Sequence, residues 1–172
     1  MADTQNEARH SSIIPKKLVA AQARSATSAR PLAHEIFTKV NNAKDKPKKI
    51  EVLRENDSQG LRQLMKAAFD PNIIFDLPEG IPPYIANDAP AGTEHTSLLD
   101  EARRLYLFIQ GSSDLPKTRK ETIFIQMLES LHKDDATALL NIKEKKLNLV
   151  YKGLTENVVK EAFNWNDNFM RK

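Results

Sequence analysis

The sequence predicts an all-α protein: an orthogonal multi-helix bundle over residues 31–172, preceded by a basic polar arm at 1–30 that is either disordered or ordered by a partner. Three observations carry this reading. Apolar residues recur at i, i+3 and i+4 along a series of separate segments. A hydroxyl or an acid stands in front of most of these segments, and glycine or proline stands behind them. No stretch alternates apolar and polar residues well enough to read as a strand, which leaves helices packed on helices around one core.

The elements follow in chain order. Residues 1–30 are polar and rich in Ala, Ser and Thr, and they cannot bury enough apolar surface to fold alone. Pro31 suits the first turn of a helix carrying Leu32, Ile36, Phe37 and Val40 through about Ala43. Residues 44–49 read as a polar break. A short helix then turns Ile50 and Leu53 inward and ends near Asn56. Ser58 caps a helix to Phe69 with Leu61, Leu64, Met65 and Ala68 on one side, and Asp70-Pro71 stops it. Asn72–Gly92 carries a short apolar run, Ile73, Ile74, Phe75 and Leu77, followed by Pro78, Pro82, Pro83 and Pro90. It reads as an irregular segment pinned across the helices, with Phe75, Leu77 and Tyr84 as core anchors.

Ser97 opens the clearest helix, to about 110, with Leu98, Leu99, Ala102, Leu105, Tyr106 and Ile109 expected on its buried face and Gly111 behind it. Thr118 with Glu121 makes a capping-box pattern for 118–131, whose stripe is Ile123, Phe124, Met127, Leu128 and Leu131. Asp134 is expected to cap 134–146, with Leu139, Leu140 and Ile142 inward. Thr155 caps a last helix to about Asn164, and Trp165 plugs the core behind it.

Composition narrows the function. The chain has 172 residues, 40% of them hydrophobic, enough for one core plus an arm. Mean hydropathy is −0.53. No apolar run approaches the ~18 residues of a membrane span, and none follows Met1 as a secretory signal would. With no cysteine, disulfides, thiol nucleophiles and thiolate zinc sites are excluded. Residues 1–50 hold ten Lys/Arg and four Asp/Glu, whereas residues 51–172 hold sixteen and nineteen. The basic character therefore lies in the N-terminal arm, and the mildly acidic balance of the folded part counts against a simple basic nucleic-acid-binding domain.

No catalytic motif stands out. The five glycines are scattered, so no phosphate loop is present. His10, His34, His95 and His132 lie far apart and form no ligand motif, so no metal site and no cofactor are expected. Asp100-Glu101 and Asp134-Asp135 read as acids favourable to helix N-termini.

The most informative stretch is Lys143–Trp165. One helix ends at Lys143–Lys146, the chain turns at Lys152-Gly153, and another helix opens at Thr155. A glycine, a hydroxyl and the bare N–H groups of a helix start can receive a phosphate. The same lysines also suit the negative end of a helix dipole, and Glu156 sits where the phosphate would dock.

The order of segments resembles the N-terminal DNA-binding domain of ATP-dependent DNA ligases, those of tailed phages above all. The resemblance rests on LMKAAFDP followed by IIFDLPEGIPP, on the helices around LYLF at 105–108 and IQML at 125–128, and on the closing KDDA…KGLTENVV. It begins near Lys48 and covers about two thirds of the chain. The ligase Lys-x-Asp-Gly tetrapeptide is absent, so the resemblance implies a stand-alone, phage-encoded, non-catalytic relative. It also implies an all-helical fold gripping duplex DNA through turns between helices. Carried over, it implicates Lys152, Gly153 and Thr155, with Lys143, Lys145 and Lys146 as outlying charges. The arm adds Lys16, Lys17, Arg24 and Arg30.

Two functions follow as expectations. One is a DNA-binding accessory module contacting the duplex backbone with little sequence preference. The other is a protein-interaction or virion-assembly factor using the same scaffold to bind a phage or host protein. Neither involves a membrane, a small-molecule substrate or catalysis. The expected location is the cytoplasm, that of the host for a phage protein, or the virion.

Overall fold

The structure, a computed structural model, describes residues 30–88, 90 and 95–166. The chain divides into two units between Pro31 and Leu32. Of the arm residues singled out above, Lys16, Lys17 and Arg24 lie outside the described residues, and Arg30 is exposed.

The second unit is all-helical. Among the described residues its elements are α1 (Ala33–Asn42), α2 (Lys46–Glu55), α3 (Gln59–Phe69), α4 (Leu98–Glu101, continuing as a 3₁₀ helix over Ala102–Phe108), α5 (Lys117–Ser130), α6 (Lys133–Lys143), α7 (Leu147–Val150) and α8 (Glu156–Phe163). They enclose one core, with Phe37, Leu53, Leu64, Met65, Phe108, Leu128 and Leu139 among its fully buried side chains.

Capping chemistry sets most starts. Ser58 accepts from Leu61 N–H at 3.1 Å and Ser97 from Asp100 N–H at 3.2 Å, as the sequence predicts. Thr155 accepts from Val158 N–H at 3.4 Å. The break at 44–49 is shorter than expected, because Asp45 caps α2 through Lys48 N–H (3.0 Å) and Pro47 fits its first turn. Pro31 lies outside α1, and the Glu35 carboxylate instead accepts from Leu32 N–H at 2.8 Å. Thr118 is not a cap: α5 starts one residue earlier, behind Pro116. Asp134 is not a cap either, since the His132 ring accepts its N–H through Nδ1 at 3.0 Å.

Two elements depart from the expected register. From Ala102 the chain tightens to a 3₁₀ helix, and its three-residue repeat buries Ala102, Leu105 and Phe108. Tyr106, placed inward by an α-helical count, is therefore 56% exposed. The helix expected over 134–146 ends at Lys143. Lys145 takes a left-handed φ of 59°, donates its N–H to Ile142 O (3.1 Å), and Lys146 N–H reaches Asn141 O (2.8 Å). This is a Schellman end with lysine where glycine is usual.

Residues 71–88 form a strap. Phe75 is buried, and Leu77 and Tyr84 are half-buried. Phe75 makes one isolated antiparallel bridge with Ile109, flanked by Asp76 N–H to Phe108 O (2.6 Å) and Gln110 N–H to Ile74 O (2.8 Å). Charged side chains pin the rest. Lys120, itself buried, donates to Asp76 Oδ2 at 2.9 Å. Lys143 donates to Pro78 O (2.9 Å) and Gly80 O (3.0 Å), and Glu144 accepts from Gly80 N–H (3.2 Å). Glu129 accepts from Ile85 N–H at 2.8 Å.

This pinning is pH-sensitive on the acid side. The hydrogen bond from Lys120 holds Asp76 below the usual carboxylate range, and that from Lys143 does the same for Glu144. A depressed carboxylate contributes stability that is present above its unfolded pKa of about 4 and lost as pH falls through its lower folded value. Hydrogen exchange is expected to report loss of protection at Gly80 N–H below about pH 4, before helical circular dichroism collapses. Equal protection at pH 7 and pH 3, corrected for intrinsic exchange, would show that these ions do not hold the strap.

Candidate functional site

Lysines and arginines in this fold repeatedly turn inward to serve helix carboxyl ends, whose last carbonyls lack intrahelical partners. Lys49 Nζ donates to Ala43 O (2.6 Å), Val40 O (3.2 Å) and Asn41 O (3.4 Å) at the end of α1. Arg54 donates to Ala162 O (3.0 Å) and Glu161 O (2.9 Å) at the end of α8. Lys145 Nζ donates to Ala67 O and to Asp70 O (3.1 Å) at the end of α3, and lies 5.9 Å from the centre of the Phe75 ring. Burial lowers the Lys145 pKa to about 8 despite the nearby Asp70 charge.

This pattern redistributes the residues named from the sequence. Lys143 is not an outlying charge. Its ammonium is enclosed by the strap carbonyls and by Glu144 at 2.5 Å. Lys145 is likewise committed to α3. Lys146 is exposed and lines the cleft described below. Lys152 and Thr155 are exposed. The Gly153 N–H, expected to face a phosphate, instead donates to Asn41 Oδ1 at 2.7 Å. A Cβ on Gly153 would lie 3.0 Å from the Lys49 ammonium and 3.1 Å from Asn41 Cα, although its φ is not left-handed. The glycine is therefore there for close packing, and an aspartate in its place would press on Lys49.

The Asn41–Gly153 bond defines a new site. It holds the Lys152–Thr155 turn against the α1–α2 turn, two connections between helices lying side by side. Residues 39–49 and 152–161 together hold seven lysines and three acids. The rest of residues 32–166 hold twelve Lys/Arg and seventeen Asp/Glu, so the basic charge of the body concentrates at this corner. Lys46 pairs with Glu161 at 2.7 Å, Lys48 with Glu51 at 3.7 Å, and Lys160 with Glu156 at 3.3 Å. Lys39, Lys44 and Lys152 are exposed on the same corner. The charge of Glu156 is thus partly matched by Lys160 and does not stand alone at the α8 start.

A cleft of about 740 Å³ is lined in part by the Lys143–Lys146 turn. Phe69, Ile73 and Ile74 line one wall and Lys145, Lys146 and Glu156 the other. It brings together no nucleophile–base pair. Trp165 is half-buried at the edge of the core, tilted on Phe163 with 5.1 Å between ring centres, and Lys66 Nζ sits 5.6 Å from its centre.

A profile described as a family of unknown function (DUF6433) matches residues 36–149. The chain belongs to this family. The match includes Lys39 and Lys44 but ends before Lys152, so the corner straddles its boundary. No curated protein and no solved structure matches the chain. The matched span runs from within α1 to within α7 and leaves out the Lys152–Thr155 turn and α8.

Sequence spacing missed two features of the site. The Asn41–Gly153 bond links residues 112 apart, and nothing local marks it. The histidines, read as isolated, are not: His34 and His132 stack with 4.8 Å between ring centres and 16° between planes. His34 sits at the start of α1 and His132 caps α6. Burial alone would lower the His34 pKa, but the hydrogen bond to Asp135 and the charges of Asp135, Asp134 and Glu35 outweigh it and leave it raised.

Proposed function

We propose that this protein is a non-catalytic helical module that holds duplex DNA by its phosphate backbone through the corner of Lys39, Lys44 and Lys152. The carrying observation is the 2.7 Å Asn41–Gly153 bond, which sets two lysine-bearing interhelical turns side by side in an otherwise acidic body. Point charges on turns suit phosphates and read no base edges, so affinity is expected to be salt-dependent and sequence-tolerant. The resemblance to ligase N-terminal domains, which grip DNA through such turns, supports the same reading.

Fluorescence anisotropy with short duplexes of unrelated sequence, across a salt series, tests it. The variant carrying Lys39→Gln, Lys44→Gln and Lys152→Gln is expected to fold normally, because all three side chains are exposed. Its log–log salt slope should fall by roughly 2.7, about 0.9 for each phosphate that is no longer neutralised. A parent protein that binds no duplex at low salt, or a variant with an unchanged slope, removes this reading.

A second reading has its own observation. Ile81 and Ile85 are 77% and 79% exposed on a strap held in place by four charged side chains. Fixing two isoleucines outward suits contact with an apolar surface of a protein partner. Loss of the DNA result with retained folding would bring this reading forward.

A further inference from the structure

We propose that His34, His132 and Asp134 form a binding site for one divalent transition-metal ion of the zinc type. One ligand atom from each lies within 4.8 Å of the other two. The set joins the start of α1 to the start of α6 and is independent of the basic corner.

The hydrogen bonds decide which atoms face inward. His34 Nδ1 lies 2.8 Å from Asp135 Oδ1, and that carboxylate is fully buried and also accepts from the His34 backbone N–H at 2.9 Å. A carboxylate can only accept, so Nδ1 carries a proton, and in the neutral ring the lone pair is on Nε2. Nε2 lies 3.7 Å from Asp134 Oδ2. His132 Nδ1 accepts the Asp134 N–H, so it too carries a lone pair, 3.9 Å from the same Oδ2. Two imidazole nitrogens and a carboxylate oxygen, each able to bind a metal ion, are thus gathered within 4.8 Å of one another. A buried carboxylate behind a ligating histidine is the usual way such a ring is oriented and its basicity raised.

Metal binding would require the three groups to close in. Ligands about 2.0–2.1 Å from zinc in a tetrahedron stand roughly 3.3–3.4 Å apart. The two separations from Oδ2 must shrink by roughly half an ångström from 3.7 and 3.9 Å, and the two histidine nitrogens, within 4.8 Å of each other, must also draw together. The stacked His132 ring must also swing so that its lone pair points at the ion. That motion releases the Asp134 N–H, which belongs to an exposed residue where water can take over. Three protein ligands leave the fourth position to water.

The test uses the full chain, stripped with a chelator and titrated with Zn²⁺ by calorimetry and with Co²⁺ by visible absorption. One equivalent is expected, with the intense bands of four-coordinate Co²⁺. Asp134→Asn, at an exposed position, should keep the parental circular dichroism and lower affinity about tenfold or more, in the range seen when metal-site partners are removed. His132→Gln should do the same, and the variant with both His10→Gln and His95→Gln should bind as the parent does. Three results would overturn the proposal. One is no uptake by the parent, which leaves a proton on His34 as the only cation there. The second is undiminished affinity in Asp134→Asn. The third is binding that disappears only with His10 and His95.

Discussion

Gly60→Ala is expected to destabilise the fold, although alanine is the better helix former by about 1 kcal/mol. Gly60 lies in the first turn of α3, where that helix crosses α4. A Cβ there would stand 2.1 Å from the carbonyl oxygen of Leu99 and 3.0 Å from its carbon. Both are backbone atoms of a neighbouring helix, so no side-chain rotation relieves the clash. The helices must separate, which loosens the packing of Leu61, Leu64, Leu98 and Leu99, all buried at or beside the crossing. Overpacking costs about 1–3 kcal/mol and sometimes more. For a chain of this length each kcal/mol moves the melting temperature by roughly 2–4 °C. A fall of roughly 2–12 °C is therefore expected, toward the upper end because the obstacle is main chain. A rise in melting temperature would mean that propensity decides at this site and that α3 and α4 slide apart freely.

The contrast between Gly60 and Gly153 shows what local sequence conveys. Both glycines allow close approach of main chain from another element, and neither sits at a positive φ. Their neighbours in sequence carry no sign of this, because the partner is Leu99 in one case and Asn41 in the other. Helical segments were legible where an apolar stripe and a cap coincide, as at Ser58 and Ser97. They were misread where a residue other than the usual hydroxyl or acid caps the start, as at His132, or where the helix tightens and shifts the repeat, as from Ala102. The candidate site shows the same division. The Lys143–Lys146 cluster is visible as charge, but Lys143 and Lys145 answer to carbonyls of residues 78, 80, 67 and 70, more than sixty positions away. Counting charge along the chain cannot separate a lysine that caps a distant helix from one that faces solvent. The corner of Lys39, Lys44 and Lys152 emerges only once the Asn41–Gly153 bond is known.

Asp135→Ala is expected to be the most damaging polar substitution. Its side chain is fully buried at the first turn of α6, and it serves the starts of two other helices. Oδ1 accepts from the His34 backbone N–H at 2.9 Å and faces His34 Nδ1 at 2.8 Å, while Oδ2 accepts from Leu98 N–H at 3.4 Å. His34 lies in the first turn of α1 and Leu98 opens α4, so the partial positive ends of three helices converge on one carboxylate. Alanine would leave two helix-start N–H groups and the imidazole N–H without acceptors in a site that water does not reach. Removing one partner from a buried charged cluster costs about 3–5 kcal/mol, and at roughly 2–4 °C per kcal/mol the melting temperature should fall by roughly 6–20 °C. Asp135→Asn keeps one acceptor oxygen but turns an amide N–H₂ toward donors, so it should recover only part of the loss. The neighbouring Asp134→Asn, with the Asp134 side chain 55% exposed, should stay within about 0.5 kcal/mol of the parent. Thermal unfolding of the three variants separates the roles of the adjacent aspartates. An Asp135→Ala protein melting with the parent would mean that the three helix starts satisfy themselves, and that the carboxylate is a passenger in the core.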